Sequence, residues 1–457
     1  MKTAARTLSV LATVAVVLAL GQWPSTACAQ LPYRFAGPGE LPRIDAETQI
    51  AIIDSIGQAL NTSYVFADTA ASIETCLRSN ATEGAYEALR DPAEFVARLL
   101  EDMLSVYHDT HFALRAMHPA DPSVAAEEKD EIDTEKPWSL RAKNFGFTKV
   151  EILPGNIGYL ELVQFANTAF GGETAVAAMS FLGNCDALII DLRRNPGGSA
   201  SMIRLISSYL LEERTHLVSW YHREEDKTIQ SWSQVWVPGS RLYEAPVYVL
   251  TSRSTGSAAE EFTYNLKNLE RATIIGETTG GGAHTVTYHA FDFEKFRVGL
   301  KLPSGRAISP ITETNWEGTG VTPHIDVPSK DALAKAHVEA LKTLQEGEID
   351  EDAMAGLAWA QQEVEAQLNP ITLSPEQLEE YVGTFGPRGF FVEEGALYYQ
   401  REGRPKYRLV PLGDDLFKLE DLTYFRLQFE RNDDGHVNLV IGLYDDGQKD
   451  PSPRTKE

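Results

Sequence analysis

The chain has 457 residues, 43% of them hydrophobic and 23% charged, with a formal net charge of −25. That length exceeds what one core usually fills, about 250 to 300 residues, so two or three folded units are expected. The composition excludes a mostly disordered chain and a membrane bundle, and the acidic excess disfavours nucleic acid and anionic membrane surfaces as partners.

The first 29 residues read as a secretory signal, so the protein is expected to be exported, periplasmic or secreted. Lys2 and Arg6 supply a positive start, "LSVLATVAVVLAL" an apolar run, and Ala27-Cys28-Ala29 a small-residue cleavage site. A membrane anchor competes with this reading, but the run is shorter than the ~20 residues a span needs. Lipoprotein attachment at Cys28 is a third reading, against which Ser25 stands where a large aliphatic is usual. Cleavage after Ala29 removes two basic and no acidic residues, taking the charge from −25 to −27. It leaves Cys76 and Cys185, enough for at most one bridge and too few for a four-cysteine zinc site. No later segment is apolar for long enough to span a bilayer.

Residues 30–118 form the next unit. "AETQIAIIDSIGQAL" and "PAEFVARLLEDML" place apolar residues at three-and-four spacing, which predicts a small helical domain. Residues 119–145 combine prolines with an acidic run and read as a linker. From 146 to 330 short apolar strands alternate with helices: "NIGYLELVQF", "ETAVAAMSFLG", "DALIIDLR", "ASMIRLISSYLL", "APVYVLTS", "SAAEEFTYNLKNL", "ATIIGE". That alternation predicts an α/β layer with buried strands. "VTYHAFDFEKFRVGLKLPSG" then alternates with period two, as antiparallel strands do. Residues 331–370 read as a helical connection, and 371–457, with short strands between Gly and Asp turns, as a small β domain.

Three stretches carry candidate chemistry. In "VLTSRSTGSAAEEF" a strand runs into a helix that begins after Ser257, beside unpaired backbone N–H groups and the positive end of the helix dipole. Ser257 suits a nucleophile there, and equally a helix N-cap. The G-x-S-x-G elbow is absent, since Thr255 and Ala259 replace its glycines. In "DALIIDLRRNPGGS" the paired Gly197 and Gly198 let backbone amides approach a ligand closely, and a plain turn accounts for them too. In "VYHDTHFAL", His108 and His111 are spaced as metal ligands on a helix or as surface histidines, without an H-E-x-x-H pattern.

Together with "DTHF", "GYLELVQF", "GETTGGGAH" and "GRAISPITETNWEGTGVTPHIDVP", in this order, these stretches resemble the tail-specific, or C-terminal processing, serine peptidases. The branch they are most similar to contains tricorn core protease and the interphotoreceptor retinoid-binding protein modules. The resemblance covers roughly residues 45–330. It implies a crotonase/ClpP-like superhelical core, here with an N-terminal helical domain and a small C-terminal β domain.

It also implies that Ser257 is the nucleophile. The lysine base of the tail-specific branch is missing, because Gly282 stands about where it belongs. The tricorn-like branch instead implies His111 as base, Thr110 where tricorn has serine, and Glu317 as the acidic member, with Glu313 as the fallback. Gly197 and Ala258 N–H are the implied oxyanion donors; Gly198 and His284 fall on the substrate side, His284 alternatively as a structural residue. No PDZ-sized segment separates "HFAL" from "GYLELV", which puts recognition of a substrate C-terminus by such a module in doubt.

The expected function is an exported serine peptidase acting on peptides or proteins, without metal or cofactor. A non-catalytic binder of hydrophobic, retinoid-like ligands is the alternative. Metal-dependent hydrolysis through His108, His111, His284 or His289 is a remote third.

Overall fold

The computed structural model describes residues 41–109, 111–118, 137–347 and 350–455. The expected signal with Cys28, Thr110 and most of the acidic linker lie outside the described residues. Among the described residues no helix is long and apolar enough to cross a membrane.

Three helices open the chain: α1 (Ala46–Ser63), α2 (Ala67–Thr82) and α3 (Pro92–Val106). Asp45 caps α1 by accepting from Thr48 N–H at 2.9 Å, and Asp91 caps α3, with Pro92 in the first turn where no donor is needed. Their apolar stripes, including Ile52, Ile56, Leu60, Ile73, Leu77, Phe95, Leu99 and Met103, meet in one core. A short strand, β1 (Ala113–Met117), follows. The last residues assigned to the linker are ordered as a short helix, α4 (Pro137–Ala142).

The central layer is built from β2 (Phe147–Leu153), β3 (Ile157–Leu162), α5 (Thr168–Leu182), β4 (Ala187–Asp191) and α6 (Ala200–Leu210). A hairpin, β5 (His216–His222) and β6 (Lys227–Trp232), precedes β7 (Val247–Thr251), α7 (Ala258–Asn268) and β8 (Thr273–Gly276). Then come a long hairpin, β9 (His284–Phe293) and β10 (Phe296–Ile308), and the two-residue β11 (Ile325–Asp326). One sheet runs β11-β8-β7-β4-β3-β2, parallel except for the edge strand β2. Every residue of β4 and β7 is buried, as strands covered on both faces require.

Helices α5, α6 and α7 cover one face of this sheet. The other face is covered by α8 (Ala332–Gln345) and α9 (Glu351–Leu368), whose Ala336, Val338, Leu341, Leu357 and Val364 pack on Ile157, Ile189, Tyr248 and Leu250. Residues 331–370 are therefore a structural layer of the core rather than a connection. Periodicity marks such helices as amphipathic without saying what they cover.

A second sheet runs β1-β10-β5-β6, with β9 also paired to β10. β10 pairs with β1 from Ala113↔Lys301 to Met117↔Arg297, and its Phe296, Val298, Leu300 and Leu302 complete the core of α1–α3. The N-terminal unit thus does not close at residue 118. It borrows its last wall from residues nearly two hundred positions later.

At the C-terminus, α10 (Pro375–Glu379) leads into eight antiparallel strands in consecutive order, from β12 (Gly383–Phe385) to β19 (Lys449–Pro453). A bridge from Phe385 to Arg454 and a 2.8 Å bond from Thr455 N–H to Thr384 O join the first strand to the last. The meander so closes on itself around Phe385, Phe390, Phe417, Phe425 and Phe429. It docks on α9, where the Arg426 guanidinium stacks 3.7 Å over the Trp359 ring.

Candidate active site

The turn between β7 and α7 is stitched to the turn after β4. Ser252 Oγ donates to Arg193 O at 2.6 Å, Thr255 Oγ1 donates to Leu192 O at 2.8 Å, and Gly256 N–H reaches Asn195 O at 3.1 Å. The hydroxyls around Ser257 are thereby occupied with turn building. Ser257 itself is exposed and stands at φ 49°, ψ −118°, backbone space that non-glycine residues seldom occupy. Strain of this kind is worth about 1–3 kcal/mol and persists only where surroundings impose it.

Glu260 imposes it. This carboxylate is fully buried and accepts from Ser257 N–H at 2.8 Å, Gly282 N–H at 2.9 Å, Thr279 Oγ1 at 2.6 Å and Gly281 N–H. One side chain in the first turn of α7 thus ties the serine backbone to the loop entering β9.

The paired glycines lie alongside. Gly197, at φ 123°, passes so close that a Cβ on it would stand 2.8 Å from Ser257 Cβ and 3.0 Å from Ala258 N. Gly198, at φ 136°, would meet Phe165 O at 2.2 Å. The expectation for Gly197 N–H needs correction, because it already donates to Asn195 Oδ1 at 2.9 Å. The buried Asn195 is anchored in turn on Leu162 O. The next amide, Gly198 N–H, has no partner among the described residues, because the parallel bridge to Phe165 uses Gly197 O and Ser199 N–H. Ala258 N–H, in the first turn of α7, is likewise without an intrahelical acceptor.

His111 arrives on the segment between α3 and β1. Its Nδ1 lies 3.2 Å from Asp109 Oδ1 and 3.2 Å from Glu317 Oε1. Asp109 is buried, accepts His111 N–H at 2.9 Å and is held by Tyr64 Oη–H at 3.1 Å. Glu317, on the loop between β10 and β11, accepts Ala283 N–H at 2.7 Å. Hydrogen bonding to Asp109 first, then to Glu317, pushes the His111 ring up to about 9. Burial works to raise both carboxyls, yet the hydrogen bonds from His111, joined by Tyr64 on Asp109 and by Ala283 N–H and the nearby His284 on Glu317, together hold both below the usual range.

The other ring nitrogen lies near Gly282. The point a Gly282 Cβ would occupy is 3.8 Å from His111 Nε2 and 3.7 Å from Glu260 Oε2, the atom that holds Ser257 N–H. Among the described residues no hydrogen bond joins Ser257 Oγ to His111. His284 opens β9 with its side chain 3% exposed and its Nδ1 3.7 Å from Glu317 Oε2; burial lowers its pKa. His111, His284 and Glu317 are the described residues that gather as possible metal ligands.

Of the residues singled out in the sequence, Ser257, Ala258, Gly197 and Gly198 meet at one turn, and His111, Glu317 and His284 at another. Glu313 is exposed in a turn, His108 is exposed, and His289 lies an odd number of residues from His284 along β9, on the opposite pleat face. Asp109, Tyr64, Glu260 and Asn195 were missed. Asp109 lies inside "DTHF", and Glu260 inside "GSAAEE", so a carboxylate next to each candidate was the available signal.

These features define an α/β protein with a serine held at a strained strand-to-helix turn and a histidine seated on two carboxylates. The chain belongs to peptidase family S41: residues 156–327 match that family, and residues 46–144 match its N-terminal domain as described in eukaryotic IRBP. It is 28% identical over 177 residues to the carboxy-terminal-processing protease of Bartonella bacilliformis, covering 38% of this chain and 39% of that one. It is 24% identical over 200 residues to the carboxy-terminal processing protease CtpA of Bacillus subtilis, covering 43% and 41%. The solved photosystem II D1 C-terminal processing protease aligns with a TM-score of 0.43 at 13% identity, covering 62% of this chain and 94% of that one. The matched region spans less than half the length of these curated relatives.

Proposed function

We propose that the protein is a serine peptidase that hydrolyses peptide bonds through an acyl-enzyme on Ser257. His111 Nε2, with Nδ1–H directed at Asp109 and Glu317, takes the Ser257 proton as Oγ attacks the scissile carbonyl, then returns it to the leaving amine. The buried carboxylates orient the ring and stabilise the imidazolium that forms. Water then repeats the sequence to release the acid product. The bond between Oγ and Nε2 is one that forms with substrate in place, as catalytic hydrogen bonds of resting enzymes often do. Ala258 N–H and Gly198 N–H, rather than Gly197 N–H, receive the oxyanion; such donors are worth roughly 3–4 kcal/mol each.

The observation that carries this reading is the strained backbone of an exposed serine, held by Glu260 at a helix N-terminus. A binder of hydrophobic ligands on the same fold would give no reason for that strain, nor for a histidine gripped by two carboxylates. The signal-like residues 1–29 support export, and peptides or proteins are the proposed substrates.

Ser257→Ala should abolish both peptide cleavage and labelling by a fluorophosphonate probe while circular dichroism and the melting curve stay near wild type. Unchanged cleavage in that variant would sink the assignment.

A further inference from the structure

We propose that His111, His284 and Glu317 form a regulatory site for a zinc-like divalent transition-metal ion, which turns the centre off by occupying His111 Nδ1. The three residues come from three segments, and each offers a ligand atom within 4.8 Å of the other two. Glu317 is the hub, with Oε1 3.2 Å from His111 Nδ1 and Oε2 3.7 Å from His284 Nδ1. Ligands bound to tetrahedral zinc at roughly 2.1 Å stand about 3.4 Å from one another, so three ligand atoms that already lie within 4.8 Å of one another need to draw together by at most about 1.4 Å.

His284 supplies an independent observation. Its side chain is 3% exposed, its Nδ1 has no hydrogen-bond partner among the described residues, and that atom is turned toward Glu317. A buried polar atom left unpaired is costly, and an ion between it and Glu317 would satisfy it. Two imidazoles and a carboxylate suit zinc in charge and softness, and three protein ligands leave a fourth position for water. The Ala283 N–H on Glu317 Oε2 steadies the carboxylate, as outer hydrogen bonds do around metal ligands.

The consequence for the base follows from proton balance. An ion on Nδ1 takes that nitrogen's lone pair. From the doubly protonated ring one proton leaves to solvent; from the neutral ring the single proton moves from Nδ1 to Nε2. Either way Nε2 carries a proton and has no lone pair for the Ser257 hydroxyl. Metal binding itself does not depend on the peptidase reading; only its inhibitory consequence does.

The test is competition between the purified full-length protein and a chromophoric chelator for zinc, under reducing conditions. Wild type and Ser257→Ala should each take up one ion per chain, and the metal should raise their melting temperatures. His284→Gln and Glu317→Gln should each weaken uptake by at least about tenfold. Melting curves identify any variant that is unfolded, and His284→Asn then replaces it. In parallel, equimolar zinc should suppress probe labelling of wild type and a chelator should restore it. No uptake by wild type, or uptake that both substitutions leave unchanged, overturns the site. Uptake with the expected dependence but no probe labelling under any condition instead counts against the peptidase reading and leaves the metal site standing.

Discussion

Ser257 sits in backbone space that only glycine enters freely, so its identity and the stability of the turn pull in opposite directions. Ser257→Gly should raise the unfolding free energy by on the order of 1 kcal/mol, the relieved strain less the extra freedom glycine has in the unfolded chain. Probe labelling should vanish in the same variant, and denaturant melts beside the labelling assay read both effects. His111 makes the second residue-scale prediction. Its ring is pushed up from the ordinary 6.5 to about 9 by Asp109 and Glu317, so the charged ring's contribution to stability is complete below about 6.5 and is lost as pH rises through about 9. Activity runs the other way, because only the neutral ring accepts a proton; in chelator-treated enzyme kcat/KM should climb through about pH 9. Glu317→Gln should move that midpoint to lower pH while lowering the plateau, and a midpoint that stays put would remove Glu317 from contact with the base. Ser257, His111 and Glu317 could be put forward from the sequence because each sits in a short motif whose order along the chain is specific. Asp109 and Glu260 could not, since nothing in "DTHF" says that its aspartate turns inward, and in "SAAEE" both glutamates are buried while it is Glu260 that gathers the Ser257 and loop amides.

Two elements must be held in register for the centre to exist: the first turn of α7 and the loop from Thr279 to Gly282. Glu260 holds them, with all four of its hydrogen bonds going to these two places. Glu260→Gln keeps the size but points an NH₂ group at an N–H or hydroxyl donor, leaving buried groups unpaired at a cost of about 1–3 kcal/mol. If Glu260 positions the serine, kcat should fall at least tenfold, on the order of 1.4 kcal/mol in barrier, with KM changed little and the pH midpoint unmoved. A variant that only melts earlier, with kcat intact, would reduce Glu260 to a structural role. At this scale the parallel strands were readable because a strand covered on both faces, as β7 is, appears in the sequence as a short unbroken apolar run bounded by turn residues. The hairpin of β5 and β6 went unread. Its outer strand is largely exposed and carries no apolar alternation to mark it.

His111 does not belong to the same part of the chain as Ser257, and the pairing of β1 with β10 is what brings them to one place. Contacts so distant in sequence leave no periodic signature, which is why the N-terminal unit was read as ending at residue 118 when β10 forms its last wall. The closed β domain is attached differently: it rests on α9, which lies on the face of the parallel sheet opposite α7. The two attachments predict different fates for equally buried residues. Leu300, 1% exposed between β10 and the helices, and Phe429, 1% exposed inside the closed β domain, are both core side chains. Leu300→Ala should cost about 2–5 kcal/mol and Phe429→Ala about 3–5 kcal/mol of stability. Leu300→Ala should also lower kcat in the fraction that stays folded, because the strand seating β1 and the His111 segment loosens. Phe429→Ala should leave kcat per folded molecule unchanged, since the β domain rests on α9, on the sheet face opposite α7. Active-site titration with the probe counts folded centres in both variants, so turnover per labelled centre separates the two outcomes. Equal losses of turnover would mean that the β domain, not only β10, holds the proposed catalytic residues in place.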